Sequence, residues 1–446
     1  MKKRLATAAG ALLAVAASVL AAPSAAQAKE TAAAGFHVSD GRLLDANGNN
    51  FVMRGVNHAH TWYTSRTPQA LKDIKALGAN SVRVVLSSGH RWTRNDTADV
   101  AAVVSQCKAN RLVCVLEAHD TTGYGEQSGA ATLAQAVDYW LSVQDAVKGQ
   151  EKYVVVNIGN EPYGNTGHSA WTSDTKNAIA RLRNAGFDHT LMVDAPNWGQ
   201  DWSFTMRDNA EQVFATDPDR NTVFSIHMYG VFDTSAEVSD YLNRFVSKKL
   251  PIVVGEFGND HSDGNPDEDA IMATTQRLGL GYLGWSWSGN GGGVEYLDMA
   301  TGFDASQLTP WGRRMFDGAN GIKQTSREAS VFSGGGQTPT IGSCAVSYRV
   351  NGWGGGFNAD VTVRNTGTAA VQGWQLDFAF GGEQTVKSAW NAKVTQSGKQ
   401  VRATPEPWTG TIPAGGSVSF GFNASSTGGD TVPASFTLNG TTCAKS

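Results

Sequence analysis

Cysteine is scarce in this chain: four in 446 residues. None stands in a C-x-x-C spacing, so a structural zinc site is a poor reading. Basic charge is not in excess either. Thirty-six Lys and Arg face 40 Asp and Glu, a formal net charge of −4, which leaves no electrostatic footprint for nucleic acid. Beyond residue 22 no apolar run approaches the roughly 20 residues that span a bilayer. No Gly-rich phosphate turn follows the first predicted strand, which argues against a dinucleotide fold. What these absences leave is a protein with a neutral partner and no membrane.

Residues 1–28 have the pattern of an export signal. Met1-Lys2-Lys3-Arg4 is basic, residues 5–22 are rich in Ala, Leu and Val, and Ala26-Gln27-Ala28 is a small-x-small cleavage site. Removing them takes three basic groups away and leaves a charge of about −7. A secreted, extracellular protein is expected, and four cysteines suit an oxidising compartment. Cys107 with Cys114 and Cys344 with Cys443 are the expected pairs, although four cysteines allow three connectivities.

Length alone implies more than one domain. Composition changes near residue 325, and Ser333-Gly334-Gly335-Gly336-Gln337-Thr338-Pro339-Thr340 cannot bury a core. We therefore expect a first, mixed α/β domain over 36–325, a linker over 326–343 and an all-β domain over 344–446. In the first domain, short β-branched runs recur at 51–56, 81–86, 112–116, 153–158, 191–193, 223–226, 251–254 and 281–284. Helix-like stretches such as 68–77 and 132–147 lie between them. Eight near-continuous apolar runs, spaced over about 290 residues, predict an α/β fold, a (β/α)8 barrel. A doubly wound open sheet is the alternative.

In such a barrel the chemistry sits at the C-terminal ends of the strands. The runs end in Glu117-Ala118-His119-Asp120, Asn160-Glu161-Pro162, His227-Met228-Tyr229, Gly255-Glu256-Phe257-Gly258 and Trp285-Ser286-Trp287, and Arg83 lies inside the second run. Singly, each residue has an ordinary structural reading as a loop charge, a buried ion pair or a core histidine. Together they bring two carboxylates, two His, an Asn, a Tyr, an Arg and a Trp to one end of one barrel. Cleaving a glycosidic bond needs two carboxyl groups flanking it, one protonated and one ionised. Glu161 and Glu256, at the tips of strands on opposite sides of the ring, are the expected catalytic pair. Asn160 is expected to contact the sugar 2-hydroxyl, Tyr229 and Arg83 to orient Glu256, and Trp285 to offer a platform for a pyranose face. Trp62, Trp198 and Trp202 follow runs one and five, where they would line flanking subsites.

Asn160-Glu161-Pro162, His227-x-Tyr229, Gly255-Glu256-Phe257-Gly258 and Arg83 resemble glycoside hydrolase family 5, over about 36–325. The resemblance implies a retaining glycosidase needing no cofactor, with Glu161 as acid/base and Glu256 as nucleophile. It implies substrate contacts at Arg83, His119, Asn160, His227, Tyr229 and Trp285. The phrases around His119, Glu161 and Trp285-Ser286-Trp287-Ser288-Gly289-Asn290 look like the bacterial endo-β-1,4-mannanases of that family, with its cellulases as the runner-up. A barrel that binds carbohydrate without cleaving it is a further alternative. A monomer is expected.

The loop from Asp260 to Asp269 is acidic, and Asp263, Asp267 and Glu268 are candidate ligands for a structural calcium. The competing reading is a solvated loop capping the helix that follows. In the last domain, Trp374 alternates with Leu376, Phe378 and Phe380 and is expected in the core. Trp353, Trp390 and Trp408 stand in polar, turn-rich settings. With Cys344, Cys443 and Thr411-Ile412-Pro413-Ala414-Gly415-Gly416 they resemble the family 2 carbohydrate-binding modules, which implies a cellulose-binding face made by those three Trp.

Overall fold

A short hairpin, β1 (His37–Ser39) and β2 (Arg42–Leu44), leads into eight parallel strands: β3 (Arg54–His58), β4 (Ser81–Leu86), β5 (Val113–Ala118), β6 (Val154–Asn157), β7 (Leu191–Asp194), β8 (Thr222–Met228), β9 (Ile252–Phe257) and β10 (Gly281–Gly284). β10 pairs with β3, so the sheet closes into a barrel. Every residue of β3 to β9 is buried, which is why the runs read as continuously apolar rather than alternating. The computed structural model describes residues 35–332 and 344–445, except 368–369, 427–431, 434 and 440. The export signal expected at 1–28 and the Gly-rich stretch from 333 lie outside the described residues.

The two faces of the barrel sheet have separate cores. Val56, Val84, Leu116, Val156 and Ile226 pack outward against the helices, and Met53, Val115, Val155, Met192, Val253 and Leu283 fill the interior. Capping sets the helix starts. Thr132 and Gln135 form a reciprocal capping box at Leu133–Ser142, and Thr234 and Glu237 form another at Ser235–Ser247. The helix expected over 132–147 is broken at Val143 and resumes at Gln144–Val147.

Two expectations are corrected here. Residues 326–332 do not open a linker. Glu328 pairs with Lys75 and Arg111, Ser330 donates to Asp45, and Phe332 packs on Tyr153, so this stretch docks on the barrel. Cys107 and Cys114 are free thiols, both fully buried. Their sulfurs are 2.9 Å apart, against about 2.05 Å in a disulfide. Burial pushes the Cys114 thiol well above its ordinary range, which suppresses the thiolate that exchange requires.

The described residues from Cys344 onward form their own compact unit. It carries two five-stranded sheets. The first has Thr385–Trp390, Ser417–Ser425, Gly356–Asn365, Cys344–Trp353 and Ala444–Lys445 side by side. The second is built on Gln400–Pro405 and Leu376–Ala379. Trp374 is fully buried and stacked on Phe420, in the same core as Phe378, Phe380 and Phe422. Cys344 and Cys443 are joined by a disulfide across 99 residues, as expected.

Candidate active site

Arg83 organises the open end of the barrel. Its guanidinium is fully buried and has five donors. Nε donates to Asn157 (2.8 Å), Nη1 to Asn57 (2.9 Å) and Glu256 (2.7 Å), and Nη2 to Asn160 (2.7 Å) and Asp194 (2.9 Å). Those partners come from β3, β6, β7, β9 and the turn after β6. All five donors are engaged, so Arg83 is not a substrate contact. It fixes Glu256 and Asn160 in place.

Glu256 is held from two sides, by Arg83 on Oε1 and by the Tyr229 hydroxyl, which donates to Oε2 at 3.0 Å. Burial pushes its carboxyl up, and Glu161 adds to this. The positive charges of His227 and Arg83 oppose the rise, but the net direction is upward. Glu161 lies on the turn after β6 with φ of 39°, a left-handed conformation that costs a non-glycine residue energy and is concentrated at functional sites. The Gly123 N–H donates to its carbonyl at 3.1 Å, and its own N–H faces Asp194 at 3.4 Å.

His227 joins the two carboxylates. Its Nδ1 is 2.7 Å from Glu161 and 3.6 Å from Glu256, and its Nε2 is 3.3 Å from Asp194. A register shift between Ile226 and His227, where β8 meets β9, aims the ring inward. Burial pulls its pKa down, but Glu256 and Asp194 outweigh burial and carry it to about 10. Burial likewise pushes Asp194 up, yet Arg83 and His227 hold it at about 2. His227 has no exposed surface, so it too is a support beneath the site and not a substrate contact. Carboxylate oxygens of Glu161 and Glu256 and a ring nitrogen of His227 all lie within 4.8 Å of one another.

Asn160 is nearly buried, with Oδ1 on Arg83 and Nδ2 on the Thr122 hydroxyl. His119 accompanies Glu117 at 2.9 Å and stacks on Trp285, 5.7 Å between centroids and 17° from parallel. Trp62 meets both His119 and Trp92 edge-on. The Trp285 indole donates to Asn290.

A cleft of about 470 Å³ opens beside Glu161, lined by Trp198, Trp202, Tyr229, His261 and Asp263 among others. Trp198 is seated against Gly123: a Cβ there would come within 2.4 Å of the indole. Trp202 is 46 % exposed, an apolar surface open to a ligand. Asp263 is not a cation ligand in waiting. It accepts from Gln200 and the Gly230 N–H and pairs with His261, while Asp267 caps Glu268–Leu278 through the Ala270 N–H. Among the described residues, Asp263, Asp267 and Glu268 do not converge as ligands, so the calcium reading is dropped. Sequence reasoning missed Asp194, Asn57, Trp92 and His261. The strand-end rule applied to runs one and five would have found Asn57 and Asp194; His261 and Trp92 lie in loops with no such signal.

In the tail, Trp353, Trp390 and Trp408 are 53 %, 40 % and 74 % exposed, whereas Trp374 is in the core, as the alternation requires.

Comparison with known proteins is consistent with this geometry. Residues 44–291 match Cellulase (glycosyl hydrolase family 5) and residues 344–443 match Cellulose binding domain. The chain is 66 % identical to a mannan endo-1,4-beta-mannosidase of Streptomyces lividans over 335 residues, 75 % of this chain and 87 % of that one. It is 52 % identical to another of that description from Cellvibrio japonicus, covering 76 % and 82 %. Among solved structures it resembles a beta-mannanase from Thermomonospora fusca, with 63 % identity, a TM-score of 0.66, and coverage of 67 % of this chain and 99 % of that one.

Proposed function

Since the chain belongs to glycoside hydrolase family 5 and is a glycosidase, we propose that it is a secreted, endo-acting, retaining β-1,4-mannanase whose tail anchors it to cellulose. The observation that carries the mechanism is the proximity of Glu161 and Glu256. Retaining enzymes hold their two carboxyl groups about 5–5.5 Å apart, and inverting ones about 6.5–9.5 Å apart to admit a water between them. Oxygens within 4.8 Å support the retaining arrangement.

Glu256 attacks the anomeric carbon as Glu161 protonates the departing oxygen. Water, deprotonated by Glu161, then releases the glycosyl-enzyme. Arg83 and the Tyr229 hydroxyl keep the Glu256 carboxylate oriented. Glu161 lines the cleft of Trp198 and Trp202, which supports seating the leaving portion of the chain there. Trp285, flanked by His119, faces the sugar on the other portion.

The choice of mannan rests on the names of the relatives. Secretion rests on the signal-like residues 1–28, and anchoring on the matched binding domain and its three exposed Trp. Reducing-sugar release measured side by side on mannan, carboxymethylcellulose and xylan tests the assignment. We expect mannan to be cleaved fastest. Faster release from carboxymethylcellulose would replace the reading with a cellulase.

A further inference from the structure

Glu117 takes no part in the double displacement, yet it sits beneath the site. It follows Val113 and Val115 on the inward face of β5, so the strand period places it inside the barrel, and it has no exposed surface. An ionised carboxylate there is costly unless its charge is answered. Arg83 passes 3.7 Å away, but its five donors are engaged by other residues. The direct partner is His119, whose Nδ1 is 2.9 Å from Oε1. Oε2 has no hydrogen-bond partner among the described residues. The charge of Arg83 favours the ionised carboxyl, so the proton between Oε1 and Nδ1 belongs to the ring.

Three indoles surround the same imidazole. Trp285 lies nearly parallel to it at 5.7 Å, Trp62 meets it edge-on at 5.3 Å, and Trp92 is tilted at 5.5 Å. A cation beside an indole face is stabilised by the ring quadrupole. Burial pulls the imidazole toward its neutral form. Glu117, and after it Glu256, outweigh burial, Arg83 opposes them, and the net direction of the His119 pKa is upward. Arg91 stands over Trp92, one ring removed.

We propose that Glu117 is a positioning residue that keeps both nitrogens of His119 protonated, so that Nε2 offers the sugar a donor and not an acceptor. Nδ1 is taken by Glu117, and among the described residues Nε2 bonds to no protein group. A neutral imidazole would present a lone pair at one nitrogen, whereas the imidazolium donates from both. The donor is also charge-assisted and so stronger than a neutral one. Its acceptor would be a hydroxyl oxygen of the pyranose lying against Trp285. The charge state stands on the geometry, and the sugar contact rests on the proposed function.

The test is a magnetic-resonance titration of the full chain carrying isotope-labelled histidine, with His119→Gln identifying the His119 signals among the nine histidines. In the wild type the ring should be an imidazolium at neutral pH, with a midpoint above the ordinary 6.5. In Glu117→Gln, which keeps an acceptor and removes the charge, the midpoint should fall, and Glu117→Asp should lie between the two. On mannan, Glu117→Gln should lower kcat/KM about tenfold, as when a charged hydrogen bond becomes a neutral one. A ring already neutral at pH 7 in the wild type overturns the proposal, even if Glu117→Gln fails to fold. A midpoint that does not move in Glu117→Gln overturns it as well. An unchanged kcat/KM beside a lowered midpoint overturns the sugar contact. If the wild type cleaves no polysaccharide, the proposed function falls separately, and the titration still decides the charge of His119.

Discussion

On the proposed function the barrel mouth and the tail both meet a polysaccharide, but they are built in opposite ways. At the mouth, Arg83, Glu256, His227 and Asp194 are almost wholly buried, and each polar group has partners within about hydrogen-bond reach. In the tail, three indoles stand between 40 % and 74 % exposed. The contrast follows from the tasks. Proton transfer needs charges whose energies are set by a dry, fixed surrounding. Adhesion to a surface needs apolar area that can be covered all at once.

Breaking the comparison begins with the largest effect. Glu256→Ala should lower the hydrolysis of soluble mannan by about a thousandfold or more, as loss of a nucleophile does elsewhere. Hydrolysis at the wild-type rate would end the proposed mechanism. Next, Cys443→Ser should destabilise the tail by about 4–5 kcal/mol in the chain-entropy model for a ring of this size. Calorimetry should place that loss in the transition of the tail and leave the transition of the barrel where it was. A smaller effect is expected from Trp408→Ala, the most exposed of the three indoles: about tenfold weaker adsorption to cellulose, within the range of a binding hot spot. An equal fall in kcat on soluble mannan would erase the division between mouth and face.

The finest distinction concerns pH. The charge on His227 lowers the Glu256 carboxyl, which burial otherwise raises. His227→Gln removes that positive charge, so the acidic limb of the kcat/KM profile should move to higher pH, by up to about one unit for a charge at this range. A limb that stays in place would mean that Arg83 alone keeps Glu256 ionised. The same ring gives the barrel a pH-dependent stability. Its folded pKa of about 10 stands above the ordinary 6.5, so its contribution is complete below pH 6.5 and is lost as pH rises through about 10. Melting temperatures across that window should fall for the wild type and change less for His227→Gln.

Much of this was legible in the sequence where one local rule dominates. Strands buried on both faces must be apolar throughout, so the runs at 81–86 and 281–284 coincide with β4 and β10. The break at Val143 was not legible, because Leu133–Ser142 and Gln144–Val147 bury the same side and the periodicity runs on across them. Glu161 and Glu256 follow from position at strand ends. The role of Arg83 does not, since a lone Arg in an apolar run gives no hint of five partners from distant strands. The acidic loop misled for a related reason. Carboxylates adjacent in sequence need not converge, and here Asp267 is a helix cap while Asp263 anchors Gly230. The seat of Trp198 on Gly123 joins residues 75 positions apart and leaves no pattern in either segment.

The saturation of Arg83 also limits how this enzyme can be redesigned. A side chain with no donor in reserve cannot adapt to a changed neighbour, and lysine would offer three donors where five are engaged. Alterations at Asn57, Asn157, Asn160, Asp194 or Glu256 would therefore be felt by all the others together. Engineering toward a different sugar has its freedom in the loops that carry Trp198, Trp202 and His261, where a substitution can change the fit to the ligand without disturbing the shared guanidinium.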